Sequence, residues 1–251
     1  MRDIKKYTEV YLNYDFAPYQ IKYRRVNVIK NVINKYLPHK IMEIGCGMEP
    51  MFCYINGYDY YVVIEPSETF VSNARALLKN NIGNVVIKND YVENVSSDEI
   101  MNLDCIVISS LLHEVNNPKG FMEKVYRFCD TGTVVHVNVP NAKSMHRLLA
   151  YECGLIDDLY SLSDRNMLLD QHSVFDIDSL VALLQNAAES INKKIDVLDT
   201  GSFFVKPFTH RQMAQCINQK IFSEDILIGF DRIIKYMPDL GSEIFVNFRL
   251  V

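Results

Sequence analysis

Lys40-Ile41-Met42-Glu43-Ile44-Gly45-Cys46-Gly47-Met48-Glu49-Pro50 decides how this chain of 251 residues is read. Ile41, Met42 and Ile44 form a short apolar run with the character of a buried strand. The two glycines after it let the backbone fold back and approach a ligand with no side chain in the way. Pro50 suits the first turn of a helix, where its missing N–H costs nothing. A second apolar run, Tyr60-Tyr61-Val62-Val63-Ile64-Glu65, ends in an acid 22 positions after Glu43. A carboxylate at the carboxyl end of a second strand is where a doubly wound sheet holds a ribose by its hydroxyls. The two runs together predict a nucleoside site.

Dinucleotide sites use G-x-G-x-x-G, whose third glycine allows close helix–strand packing. Pro50 stands at that position, which disfavours a NAD-linked dehydrogenase. Glu43-x-Gly45-x-Gly47 instead resembles motif I of the class I S-adenosylmethionine-dependent methyltransferases. The resemblance implies an α/β fold, a doubly wound Rossmann-like seven-stranded sheet with helical cap insertions. It also implies S-adenosyl-L-methionine as cofactor and S-adenosyl-L-homocysteine as product. One methyltransferase domain over 1–251 is expected, with an N-terminal aromatic lid and helix at 1–36 and a cofactor-binding half at 37–140. A helical cap insert at 141–175 follows, then a C-terminal half at 176–251 that carries an insert at 206–241. Carried onto this sequence, the motifs place Glu43, Gly45, Cys46, Gly47, Glu65 and Pro66 around the cofactor, with Ser109 and Ser110 at the end of the fourth strand. Asp90 would bond the adenine amino group beside Tyr91, although an Asp at that point also serves to cap a turn.

Composition narrows the class further. Hydrophobic residues make up 49%, enough for a full core. A net charge of −5 and a pI near 5.7 argue against broad nucleic-acid or membrane-surface partners. No Asn/Asp-Pro-Pro-Tyr/Phe tetrad of a nucleic-acid methyltransferase follows the fourth strand. The six cysteines (46, 53, 105, 129, 153, 216) lack C-x-x-C or ligand-like spacing and read as reduced residues of a cytoplasmic protein. The start is charged and tyrosine-rich, unlike a signal peptide, and no apolar run approaches the ~20 residues of a membrane span. No metal is expected.

Along the chain, residues 1–23 carry Tyr7, Tyr11, Tyr14, Phe16, Tyr19 and Tyr23. Their spacing fits a packed amphipathic turn. An aromatic lid over the cofactor is the other reading, with Tyr14 on the cofactor and Tyr19 on the acceptor. The next helix opens with Lys22, Arg24 and Arg25 and stops before Pro38; Arg24 is a candidate for the cofactor carboxylate and Arg25 for the acceptor. Strands are expected at Asn84–Lys88, Leu103–Ser110, Thr133–Asn141, Ile195–Val205 and Glu243–Val251, with an amphipathic helix over Asp176–Ser190. Val139-Pro140-Asn141-Ala142-x-Ser144-x-His146-Arg147 resembles the small-molecule branch that includes ubiquinone- and sugar-modifying enzymes, where this segment starts a cap over the substrate. Asn141, His146 and Arg147 are therefore candidate acceptor contacts. The branch often has a Gly-His pair where Gln171-His172 stands here. His136, mid-strand, reads as a hydrogen-bonded core histidine. The 206–241 insert is helical in pattern, suited to capping the substrate or to a homodimer contact.

These residues suggest a mechanism. The sulfonium already activates the methyl group, so the protein chiefly aligns a nucleophile, an effect worth up to ~7–11 kcal/mol. A hydroxyl acceptor gains ~10²–10⁴-fold from a base, for which His113 in Ser109-Ser110-Leu111-Leu112-His113-Glu114 is the first candidate and His172 the second. An acidic acceptor such as a phosphate or phosphoramidate oxygen needs positioning and no base. The reading is O-methylation of a small molecule such as a sugar, a nucleotide-linked sugar or a phosphoramidate precursor of a surface polysaccharide. It includes a resemblance to the phosphoramidate-modifying methyltransferases of capsule pathways. N-methylation and a non-catalytic cofactor-binding scaffold or sensor are the alternatives.

Overall fold

The computed structural model describes residues 3–13, 18–78, 84–100 and 102–251. Apolar runs with no polar alternation become strands covered on both faces, and here they build one seven-stranded sheet in the order β3-β2-β1-β4-β5-β7-β6. β1 (Lys40–Ile44), β2 (Tyr60–Ile64), β3 (Val85–Lys88), β4 (Cys105–Ser109) and β5 (Val134–Pro140) are parallel. β7 (Glu243–Leu250) runs antiparallel between β5 and β6 (Ile195–Phe203). The strand order therefore reverses between β1 and β4. Ligands of open α/β sheets lie in the crevice at the carboxyl ends of such a pair.

The helices follow from their caps and periodicity. α1 (Ile4–Asn13) and α2 (Pro18–Val28) precede the sheet. A π-helical stretch, Ile29–Ile33, and a last turn, α3 (Asn34–Tyr36), extend α2 until Leu37 ends it in the left-handed conformation. In the widened turn the Asn31 carbonyl accepts from Asn247 Nδ2 of β7 (3.2 Å). Ser67 opens α4 (Glu68–Leu78) by accepting from Phe70 N. Asn117 caps α5 (Pro118–Val125). α6 (Met145–Glu152) and α7 (Asp164–Leu168) follow β5. Asp176 begins α8 (Ile177–Glu189) with a reciprocal cap to Ser179. Between β6 and β7 lie α9 (His210–Asn218) and α10 (Glu224–Arg232).

One core layer packs β-strand residues such as Met42, Ile106 and Val135 against α5 and α8. The opposite face packs Ile41, Tyr61 and Val63 against Val28, Val32 and Ala74. A third cluster joins Tyr19 and Tyr23 of α2 to Phe203, Phe204, Met213 and Leu227, so the segment between β6 and β7 is docked onto the N-terminal helix. Both inserted segments close at their necks. Ala142 N donates to Phe175 O (2.7 Å), and Ser242 N donates to Phe204 O (2.9 Å).

The stretch after the glycine turn departs from expectation. In place of a helix there is one 3-10 turn, Met51–Cys53, with Pro50 ahead of it in an extended conformation (ψ 139°). Asn56 and Gly57 (φ 83°) break any continuation toward β2. Strand ends fall a residue or two inside the expected bounds at Asn84, Leu103, Thr133, Asn141 and Val205, where the backbone bonds leave the ladder. The six cysteines are free; Cys46 and Cys105 are buried, whereas Cys53 and Cys153 are exposed. No helix among the described residues is long and apolar enough to cross a membrane.

Candidate active site

A cavity of about 960 Å³ opens at the carboxyl edge of the sheet, over the β1/β4 reversal. Its first wall is the turn after β1. Gly45 (φ 77°) and Gly47 (φ 53°) occupy the left-handed region that side chains disfavour. A Cβ on Gly45 would press on Leu111 at 3.1 Å, and one on Gly47 would meet the Tyr11 hydroxyl at 3.3 Å. Glu65, 4% exposed, ends β2 and braces the turn: Cys46 N donates to its Oε2 (3.1 Å) and Ser67 N to its Oε1 (2.8 Å). Burial pushes its pKa up to about 7 against the lowering effect of the backbone donors at Ser67, Gly47 and Cys46. Glu43, also pushed up to about 7 by burial, accepts from Met51 N and from the Tyr61 hydroxyl (2.9 Å). Its carboxylate ties down the far end of the turn.

The second wall is β4 and the turn beyond it. Ser110 takes a positive φ (55°) and leads the chain into a 3-10 turn, Leu112–Glu114. His113, 2% exposed, lines the cavity there, with Nε2 3.8 Å from Glu114 Oε1. Glu114 is a junction: Tyr7 of α1 donates its hydroxyl to Oε2 (2.9 Å), and Gln171 Nε2 donates to Oε1 (3.3 Å). Tyr7 and Tyr11 line the cavity, and Tyr11 sets its ring edge-on to Phe70. The N-terminal helix thus covers the glycine turn and the β4 wall together.

The structure brings most of the sequence-predicted residues to this cavity, but several are committed elsewhere. Glu43, Gly45, Cys46, Gly47, Glu65, Pro66, Tyr91, Ser109 and Ser110 line it, as do His113, Arg24, Arg25, Asn141, His146 and Arg147. Arg24 forks onto Glu243, Nε at 3.0 Å from Oε2 and Nη2 at 2.5 Å from Oε1. Burial opposes the charge on both, yet each holds the other ionised, Arg24 raised and Glu243 lowered from their ordinary pKa values. Gln20 and Asn138 donate to the same carboxylate, which is 0% exposed. Arg25 pairs with Glu49 and lies over the Tyr54 ring. Arg147 donates to the carbonyls of Leu159 and Ser161, holding the loop before α7. Asn141 donates to the carbonyls of Asp239 and Gly241, clamping one inserted segment to the other.

Three expected contact residues, Tyr19, Asp90 and His172, are not among the residues that line the cavity. Tyr19 is buried behind the wall, with its hydroxyl 3.0 Å from His210 Nδ1. Asp90 accepts inside its own turn through Oδ1, from Tyr91 N (2.8 Å) and Asn94 Nδ2 (2.7 Å). His172 supports by its backbone, its N–H donating to His113 O (2.9 Å), while its ring faces Asp170. Tyr14 lies outside the described residues. His136 bonds Asn247 and Asn138 in the sheet interior, a core role. Sequence reasoning quoted Glu114 only as the neighbour of His113 and missed Lys206, His210 and Arg165; all four are in the wall. The one available signal was Lys206, which closes the apolar run Phe203-Phe204-Val205. No group of three or more His, Cys, Asp or Glu among the described residues is arranged to hold a metal ion.

A braced glycine turn, an acid at the end of β2 and a covered cavity at the strand reversal define a nucleoside-cofactor enzyme of the class I methyltransferase type. The profile of the methyltransferase-domain family matches residues 21–188, about two-thirds of the sequence. The chain belongs to that family: it is an S-adenosylmethionine-dependent methyltransferase, with S-adenosylhomocysteine as the product. No curated protein sequence matches it. Among solved structures it is similar to the plantazolicin methyltransferase BpumL in complex with SAH, at 18% identity and TM-score 0.57. That alignment covers 96% of this chain and 88% of that one. An S-adenosylmethionine-dependent methyltransferase from Mesorhizobium loti aligns at 14% identity and TM-score 0.54, over 88% of this chain and 97% of that one. Trm5b from Pyrococcus abyssi aligns at 12% identity and TM-score 0.51, over 94% of this chain and 50% of that one. At these identities the likeness is one of fold.

The cavity fits the cofactor. The cradle at Gly45 and Gly47 leaves room that a Cβ would fill, and Glu65 faces it with a carboxylate able to accept further hydrogen bonds.

Proposed function

We propose that the protein methylates an oxygen of a small-molecule acceptor, with His113 as the base. When bound, S-adenosylmethionine supplies an electrophilic methyl group on a sulfonium. Glu65 would accept from the ribose hydroxyls, and the bare turn at Gly45–Gly47 would lie against the methionyl part. α1 closes over that turn and excludes water, which strengthens every polar contact beneath it. His113 Nε2 takes the proton of the acceptor hydroxyl as the nucleophile forms, and Glu114 stabilises the resulting imidazolium. The observation that carries this reading is a buried histidine in the cavity wall one strand from the cofactor turn, with a carboxylate 3.8 Å from its ring nitrogen.

A small acceptor fits the enclosure. Ligand pockets hold roughly 300–1,000 Å³, and this one, near 960 Å³, takes a cofactor with a compact partner. Sugars, nucleotide-linked sugars and phosphoramidate precursors remain the acceptor classes that the sequence resemblance supports. The test is transfer of labelled methyl to a panel of small hydroxylated metabolites by wild type and His113→Ala, with SAH binding measured in parallel. Turnover should fall about 10²–10⁴-fold while SAH affinity stays within about threefold. Undiminished turnover removes His113 from the reaction.

A further inference from the structure

The two halves of the cavity carry opposite charge. On the β3–β2–β1 side the lining acids Glu43, Glu49, Glu65 and Glu93 outnumber Arg25, which pairs with Glu49, and this suits a cofactor bearing a sulfonium and an ammonium. On the side where β5 and β6 end and β7 begins, the wall holds His146 of α6, Arg165 of α7, Lys206 and His210. The acid at that end, Glu243, is already bound by Arg24, Gln20 and Asn138.

Lys206 is built into this position. Phe204 adopts a left-handed conformation (φ 56°) and stacks on Tyr23 at 4.4 Å, turning the chain out of β6 and back over the cavity. A bulky residue at positive φ is uncommon and stored where the surroundings over-determine it. Lys206 is 1% exposed, and its Nζ sits 2.9 Å from His210 Nε2. No carboxylate among the described residues is within ion-pair distance of it. His146 adds a buried Nδ1 with no hydrogen-bond partner. Burial and mutual repulsion push the proton affinities of Lys206, His210 and His146 well down. A buried cation without a counter-charge is costly, and a bound anion removes that cost.

We propose that the acceptor carries an oxyanion, a phosphate or a carboxylate, and that Lys206, His210, His146 and Arg165 seat it on the β5–β7–β6 side of the cavity. The inference rests on the reading that this half takes the acceptor. Four strand spacings, about 19 Å at ~4.8 Å each, separate β1 with its glycine turn from β6. The seat is therefore separate from the adenosine end and presents the rest of the acceptor toward β4.

The experiment is calorimetric titration of inorganic phosphate and of acetate into SAH-saturated protein at low ionic strength, for wild type, Lys206→Met and Arg165→Gln. Wild type should bind one anion per chain, and the preferred probe distinguishes a phosphoryl from a carboxylate acceptor. Lys206→Met should weaken that binding about tenfold or more and leave SAH affinity within about threefold. Arg165→Gln, at a half-buried position of the short cap helix α7, gives the same direction if the Lys206 substitution impairs folding. No anion binding to wild type overturns the proposal, as does equal binding by both variants. A tenfold loss of SAH affinity in Lys206→Met also overturns it, because the cluster would then serve the cofactor carboxylate. If SAH itself fails to bind wild type, the cofactor reading falls, and the same titrations on the ligand-free chain still test the anion seat.

Discussion

Glu65→Gln should raise the stability of the ligand-free enzyme at pH 8 while lowering its affinity for SAH. The fold raises the Glu65 pKa from 4.5 to about 7. A raised carboxyl favours the fold fully below its unfolded pKa, and that contribution is lost as pH rises through the folded value near 7. At about 1.4 kcal/mol per pKa unit, the buried charge costs roughly 3 kcal/mol at pH 8. Gln removes the charge but keeps one acceptor oxygen for two donors, Cys46 N and Ser67 N. The lost acceptor costs about 1 kcal/mol, leaving a net gain of about 2 kcal/mol. Thermal melts of both proteins should show the variant higher at pH 8, and the gap should close by pH 5, where wild-type Glu65 is neutral. In calorimetry at pH 8, losing charge-assisted bonds to the ribose should cost about 2 kcal/mol, roughly thirtyfold in Kd. Wild-type affinity should itself fall as pH drops below 7, and the variant's should stay flat. Opposite movement of stability and affinity is the signature. SAH affinity unchanged within threefold, or a variant less stable at pH 8, refutes the reasoning.

Gly47→Ala should cost about 1–2 kcal/mol in a melt, because its φ of 53° is left-handed and its Cβ would press on Tyr11. It should also weaken SAH binding, since Tyr11 must give way from the covering helix. Glu243→Gln leaves Arg24 without a counter-charge in a buried setting and should destabilise the enzyme by about 3 kcal/mol in denaturant unfolding. Tyr7→Phe deletes the bond to Glu114 (2.9 Å) and should loosen the covering helix by about 1–2 kcal/mol, read as faster SAH dissociation in stopped flow with the melting temperature little changed.

How much of this was legible in the sequence depended on how local the determinant was. The β1 turn was readable because glycine at positive φ and a short apolar run are properties of adjacent residues. The α8 cap was equally plain, with Asp176 and Ser179 three residues apart. Arg24 was legible as a charge, but its partner Glu243 is 219 positions away, and no pattern announces such a pair. Asp90 had two local readings, and the structure shows only that its Oδ1 accepts from Tyr91 N and Asn94 Nδ2 within its own turn. The helix expected after Pro50 gave way to one 3-10 turn, since Gly57 lies only a few residues further on. The cationic wall was hidden for a deeper reason. Its members come from α6, α7 and the segment after β6, and only the closing of both inserted segments at their necks places them together.

Glu243 is the first residue of β7, yet it anchors Arg24 and Gln20 from the second helix of the chain. During synthesis, α2 emerges from the ribosome more than two hundred residues before that carboxylate exists. Until β7 is made and inserted between β5 and β6, the guanidinium lacks this buried counter-ion, and α2 is held by its packing on β1 and β2. The Arg24–Glu243 pair, and with it this wall of the cavity, therefore forms only after residue 243 has been made.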